Sequence, residues 1–75
     1  MTKIRTTIAA VRAVRDLTGF NLRTSKTQVD AVVSLANNGN AGLMNGIHLE
    51  TPKGLILMED LETVVFSNTK PQEGK

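Results

Sequence analysis

Seventy-five residues with a net charge of +2, no cysteine and a single histidine set narrow limits. A chain of this length makes one domain and buries only about 60% of its unfolded surface, so its core is small. Without cysteine there is no disulfide or thiolate metal site, and His48 alone excludes the usual multi-histidine sites. Phe20 and Phe66 are the only aromatic residues, so stability is expected from aliphatic packing or from a partner subunit. No run of about 18 apolar residues offers a membrane span, and the first residues lack the apolar stretch of a secretory signal. The cytoplasm is the expected location.

The small net charge hides an asymmetry. Residues 1–26 carry six cations against Asp16, a balance of +5, whereas residues 27–75 carry three cations against six carboxylates, a balance of −3. Such a dipolar chain steers an acidic partner towards its basic end.

In chain order, the first expected helix starts between Thr2 and Thr7, where a threonine can cap free amides. It ends at Thr18-Gly19, because glycine suits the left-handed residue beyond a helix. At 100° per residue, Ala10, Ala13, Val14 and Leu17 share a core-facing side. Ile4, Ile8, Val11 and Arg15 form an adjacent strip of mixed character. Arg5, Arg12 and Asp16 lie beyond it, and Arg12 with Asp16 has the spacing of an i,i+4 ion pair. The second helix is expected from about Leu22 or Thr24 to Ala36, with Ser25 and Gln28 matching a capping box. Val29, Val32, Val33 and Ala36 repeat at helical spacing and should pack on the first helix, with Phe20 and Leu22 plugging the corner. Asn37-Asn38-Gly39-Asn40 stops the helix, and residues 37–46 read as a turn-rich connector.

The C-terminal part changes period. Gly46 to Glu50 alternates apolar and polar residues, as a strand does, and Thr51-Pro52-Lys53-Gly54 reads as a turn. Leu55-Ile56-Leu57-Met58 is a short apolar run. Glu59-Asp60 interrupts it, and Leu61 to Phe66 contains strand-favouring Thr63, Val64, Val65 and Phe66. The expected architecture is therefore α+β: an N-terminal helical hairpin packed on a small antiparallel meander of two or three strands over residues 46–67. Residues 1–67 form the domain and 68–75 a disordered polar tail.

No residue set has the pattern of a catalytic centre. Glu59, Asp60 and Glu62 lie close together but have no histidine at ligand spacing, and read as a solvated turn. His48 and Glu50 share a strand face, a common surface pairing. Ser25, Ser34 and Ser67 have no surroundings that activate a nucleophile. Neither a phosphate loop nor a dinucleotide fingerprint is present. No enzyme activity, cofactor or metal is expected.

The working surface is expected on the basic N-terminal half, and the first reading is protein binding. Ile8 and Val11 would supply apolar contact, and Arg12, Arg15 and Lys26 would pair with acidic groups of a partner protein. The alternative is nucleic-acid binding, with Lys3, Arg5, Arg12, Arg23 and Lys26 along phosphates. Against that stand the thin set of base-reading side chains on the second helix (Lys26, Thr27, Gln28, Asp30) and the lack of stacking aromatics. A third reading is a homodimeric subunit joined through the aliphatic strip and a sheet edge.

Residues 8–30 resemble the helix–corner–helix of the C-terminal domain of the bacterial ribosomal stalk protein. Val14-Arg15, Thr18-Gly19, Leu22 and Lys26 fall in register with that family's pattern without a gap. A similar arginine, Thr-Gly and lysine spacing occurs at the start of elongation factor Ts. The stalk family docks translational GTPases on this helix pair, and the resemblance implies contact positions at Ile8, Val11, Arg12, Arg15 and Lys26. The rest of the chain departs from the family. It has no room for the leading strand, and it lacks the dimerisation region and hinge. The resemblance thus implies a divergent relative or a mimic, such as a phage or mobile-element protein acting on a host translation factor.

Overall fold

The computed structural model describes residues 4–69, in the order α1 (Ile8–Thr18), α2 (Leu22–Asn37), β1 (His48–Thr51), β2 (Gly54–Leu57) and α3 (Met58–Ser67). This is an α+β fold with a helical N-terminal part. Thr2 and Lys3, and residues 70–75 of the expected tail, lie outside the described residues.

Helix α1 starts where a threonine cap was expected. The Thr7 hydroxyl accepts from Ala10 N at 3.0 Å and donates to Asn68 O at 2.6 Å, so one side chain caps α1 and ties it to the end of α3. Thr7→Ala removes both bonds and is expected to cost about 1–2 kcal/mol, measured by urea unfolding. Gly19 ends the helix at φ 79°, with its N–H donating to Arg15 O at 2.8 Å. Within the corner, the buried Thr18 hydroxyl donates to Val14 O and accepts from Phe20 N. Thr18 thus ties the corner together, whereas Leu22, expected to plug it, is 54% exposed. The cap of α2 also differs from expectation. Asn21, not Ser25, accepts from Thr24 N at 2.8 Å, and Ser25 lies inside the helix, fully buried.

The core consists of Ala10, Val11 and Val14 from α1, Val29, Val32 and Val33 from α2, and Met58, Leu61 and Val65 from α3. Six of these nine residues are valines, stiff at χ1, so the core loses little rotamer freedom on packing. Helix α1 packs against both α2 and α3.

The sheet is a single antiparallel hairpin pairing His48 with Leu57 and Thr51 with Gly54 around the turn Pro52-Lys53, as the turn chemistry predicts. Only one face of it, through Leu49 and Ile56, leans on the core. Its tip docks on the C-terminal end of α1: Lys53 N donates to Thr18 O at 3.1 Å and Lys53 Nζ to Asp16 O at 2.7 Å. These carbonyls have no partner inside the helix, and a cation suits that end of the helix dipole.

Three expectations are corrected here. Residues 61–66 are helix rather than strand, and the α1–α2 hairpin packs mainly on that third helix, with the sheet adding Leu49, Ile56 and its docked tip. Met58, Leu61, Glu62 and Val65 form the buried stripe of α3, spaced as one helix face requires. Burial of this face outweighs the strand preference of Thr63, Val64 and Val65, since propensity yields to tertiary packing. Glu59 and Asp60 fall in the first turn of α3, where carboxylates suit the helix dipole. Asn68 and Thr69, expected in the tail, belong to the packed body: Asn68 donates to Val64 O, and Thr69 is 2% exposed.

Candidate functional site

The lead Ile4–Thr7 runs back along α2. The backbone of Ile4 exchanges two hydrogen bonds of 3.0 Å with the side-chain amide of Asn37, and the Thr6 hydroxyl donates to Asp30. These bonds hold the N-terminal end of α1 against α2. Between the two helices lies an open groove of about 970 Å³, lined by Thr6, Thr7, Ile8, Val11 and Arg12 on one wall and Leu22, Arg23 and Lys26 on the other. Its apolar surface comes from Ile8, 73% exposed, and Leu22, while Val11, 7% exposed, belongs to the core and forms the floor.

Arg12, Arg23 and Lys26 are all exposed and give the groove three cations. One of them is engaged. Lys26 Nζ lies 2.9 Å from Asp30 Oδ2, the one ion pair among the described residues. The Arg12–Asp16 pair expected from spacing is not formed. The Thr6 hydroxyl, first, and then the Lys26 ammonium hold the Asp30 carboxyl below its ordinary value. Both side chains of the pair remain open to solvent, at 64% and 46% exposure, so the pair contributes little beyond the ~0.3–0.5 kcal/mol of a surface i,i+4 contact.

Of the residues singled out from the sequence for protein binding, the groove brings together Ile8, Val11, Arg12 and Lys26. Arg15 is exposed on α1 outside the groove lining. Of the cations considered for nucleic acid, Arg12, Arg23 and Lys26 line the groove, Arg5 is outside its lining, and Lys3 lies outside the described residues. Sequence reasoning missed Leu22, which it placed in the corner, and Thr6. Asn21 is as good a cap as Ser25 and puts Leu22 in the first turn of the helix, but the direction in which Leu22 faces depends on how α2 lies against α1.

Elsewhere the three carboxylates of α3 do not converge. Glu59 Oε1 accepts from Gly46 N at 3.1 Å, Asp60 is exposed, and Glu62 is 5% exposed with Oε2 lacking a hydrogen-bond partner. Leu43, Ile47 and Leu55 are exposed aliphatics on the connector and hairpin. Among the described residues, no helix is long and apolar enough to cross a membrane. Compared with protein-family models, curated proteins and solved structures, the chain matches none.

Proposed function

We propose that this chain is a non-enzymatic protein-binding module that docks an acidic partner through the groove between α1 and α2. The observation that carries the reading is two large aliphatic side chains, Ile8 at 73% and Leu22 at 54% exposure, flanked by Arg12, Arg23 and Lys26. Exposed aliphatics framed by arginine are what a docking surface offers: apolar area to bury and planar cations for carboxylates at the rim. The resemblance of residues 8–30 to the stalk protein's helix pair makes translational GTPases the first partners to examine.

Nucleic-acid binding by the same cations is the second reading. It draws on Arg12, Arg23 and Lys26 sharing one groove. The apolar lining weighs against it, as does the half-burial of both phenylalanines, which leaves no open stacking platform. The exposed Leu43, Ile47 and Leu55 support a homodimer that leaves the groove free.

Affinity capture from a bacterial lysate, with and without nuclease, tests the reading when wild type is compared with Ile8→Asp/Arg12→Glu. Both positions are exposed, so the fold should survive the change, whereas Val11→Asp would place a charge in the core. A protein retained after nuclease, and weakened about thirtyfold or more in the variant, is the expected result. Retention that disappears with nuclease makes nucleic acid the ligand. Equal capture by both proteins removes the groove from the mechanism.

A further inference from the structure

We infer that the groove seats a short acidic segment of a partner, with apolar side chains between Ile8 and Leu22 and carboxylates on Arg12 and Arg23, and that Asp30 competes with it for Lys26. The inference rests on the docking reading above and adds the form of the ligand and an internal competitor.

The size of the site selects a segment over a folded face. Its walls run from Ile8 to Arg12 on α1 and from Leu22 to Lys26 on α2, about 6 Å along each helix axis. An extended chain advances about 3.3–3.6 Å per residue, so a few residues span the groove. The eight lining residues fall well short of the roughly 20–30 per side found in stable interfaces between folded proteins. The volume of about 970 Å³ lies at the upper end of the ~300–1,000 Å³ typical of small-ligand pockets, room for a few side chains.

Charge selects an acidic segment. Arg12 and Arg23 make no ion pair among the described residues, and no carboxylate lines the groove. One carboxylate stands just outside it. Asp30 accepts from Lys26 Nζ and from the hydroxyl of Thr6, and both donors belong to residues of the groove wall. The wall therefore already holds a carboxylate by an ammonium and a hydroxyl, the kind of contact an incoming acidic side chain would make. The hold on Lys26 is weak: the pair is open to solvent, and lysine preceding the acid by four residues is the less favourable order on a helix. A ligand carboxylate that takes over Lys26 gives up little.

The test is fluorescence anisotropy with a labelled peptide of two central leucines flanked by glutamates, with oligothymidylate as a parallel probe. The peptide is expected to bind wild type, and R23E to abolish that binding. D30N is expected to tighten it about two- to fivefold. The substitution retains an acceptor for Thr6, so the lead stays in place. E50Q makes the same change in net charge on β1, outside the groove lining, and is expected to leave affinity unchanged. K26Q, exposed and outside the core, is expected to erase the gain of D30N in the double variant, a difference independent of any loosening common to both. Equal tightening by D30N and E50Q, or a gain from D30N that survives K26Q, overturns the competitor. Oligothymidylate binding tighter than the peptide overturns the acidic ligand. Groove-dependent capture of a protein, combined with a peptide that binds no form of the chain, overturns this inference and leaves the docking reading standing.

Discussion

Leu61→Ala is expected to lower the free energy of unfolding by about 2–5 kcal/mol. Leu61 is the largest of the fully buried side chains, and it sits at the centre of the α3 stripe between Met58 and Val65. Truncation removes the transfer energy of its methyl groups and leaves a cavity that short, stiff valines cannot collapse to fill. A domain of this length has a total stability of only ~4–11 kcal/mol, so the variant should be marginally folded at room temperature. Thr63→Ala is the companion measurement. In a strand, Thr63 would share a face with Leu61 and Val65, whereas in α3 it is exposed and its hydroxyl donates to Glu59 O in the same helix. Its replacement should stay within about 0.5 kcal/mol of wild type. Comparable losses at both positions, in urea unfolding followed by circular dichroism, would contradict the helix.

The second large effect is at Gly19. Its φ of 79° costs an L residue about 1–2 kcal/mol, and a Cβ there would lie 3.1 Å from Lys53 Cγ and 3.3 Å from Pro52 Cβ. The lysine stem can move, but the proline ring is fixed in the hairpin tip that caps α1. Gly19→Ala is therefore expected to cost about 2–4 kcal/mol in all. Gly39 provides the internal control. It has nearly the same φ, 78°, and a Cβ added there would meet nothing within 4 Å, so Gly39→Ala should show the backbone cost alone. The difference between the two variants measures how firmly the hairpin tip sits on the helix end. Amide exchange at Lys53 should accelerate in Gly19→Ala and remain unchanged in Gly39→Ala. Equal costs at the two glycines would show that the tip is not docked.

The parts of the fold legible in the sequence are those fixed by local chemistry. Thr7 before an apolar period, Gly19 after it, and the Pro52-Lys53 turn between two apolar runs each name a boundary from neighbouring residues alone. Helix α3 was hidden for a local reason as well. Glu62 occupies a buried position of its stripe, so the apolar period is broken where it would have been recognised, while Thr63-Val64-Val65-Phe66 imitates a strand. The choice between Asn21 and Ser25 as the α2 cap is not local. Either can accept from a free amide, and the outcome places Ser25 inside the packed body rather than at a helix end. The groove divides in the same way. Ile8 and Val11 share a strip that a helical wheel displays, with Arg12 beyond it, but the opposite wall of Leu22 and Arg23 depends on how α2 lies against α1, which periodicity within one helix does not encode.

The bond from Thr7 to the Asn68 carbonyl ties the start of α1 to the end of α3, and Thr6 and Thr7 belong to the groove wall. A dye or linker attached at Thr6 or Thr7 would therefore stand in the groove wall and crowd whatever enters it. The connector offers a cleaner handle. Asn40 is exposed outside the regular elements and the groove lining, and the chain contains no cysteine, so N40C would give a single reactive thiol for immobilisation.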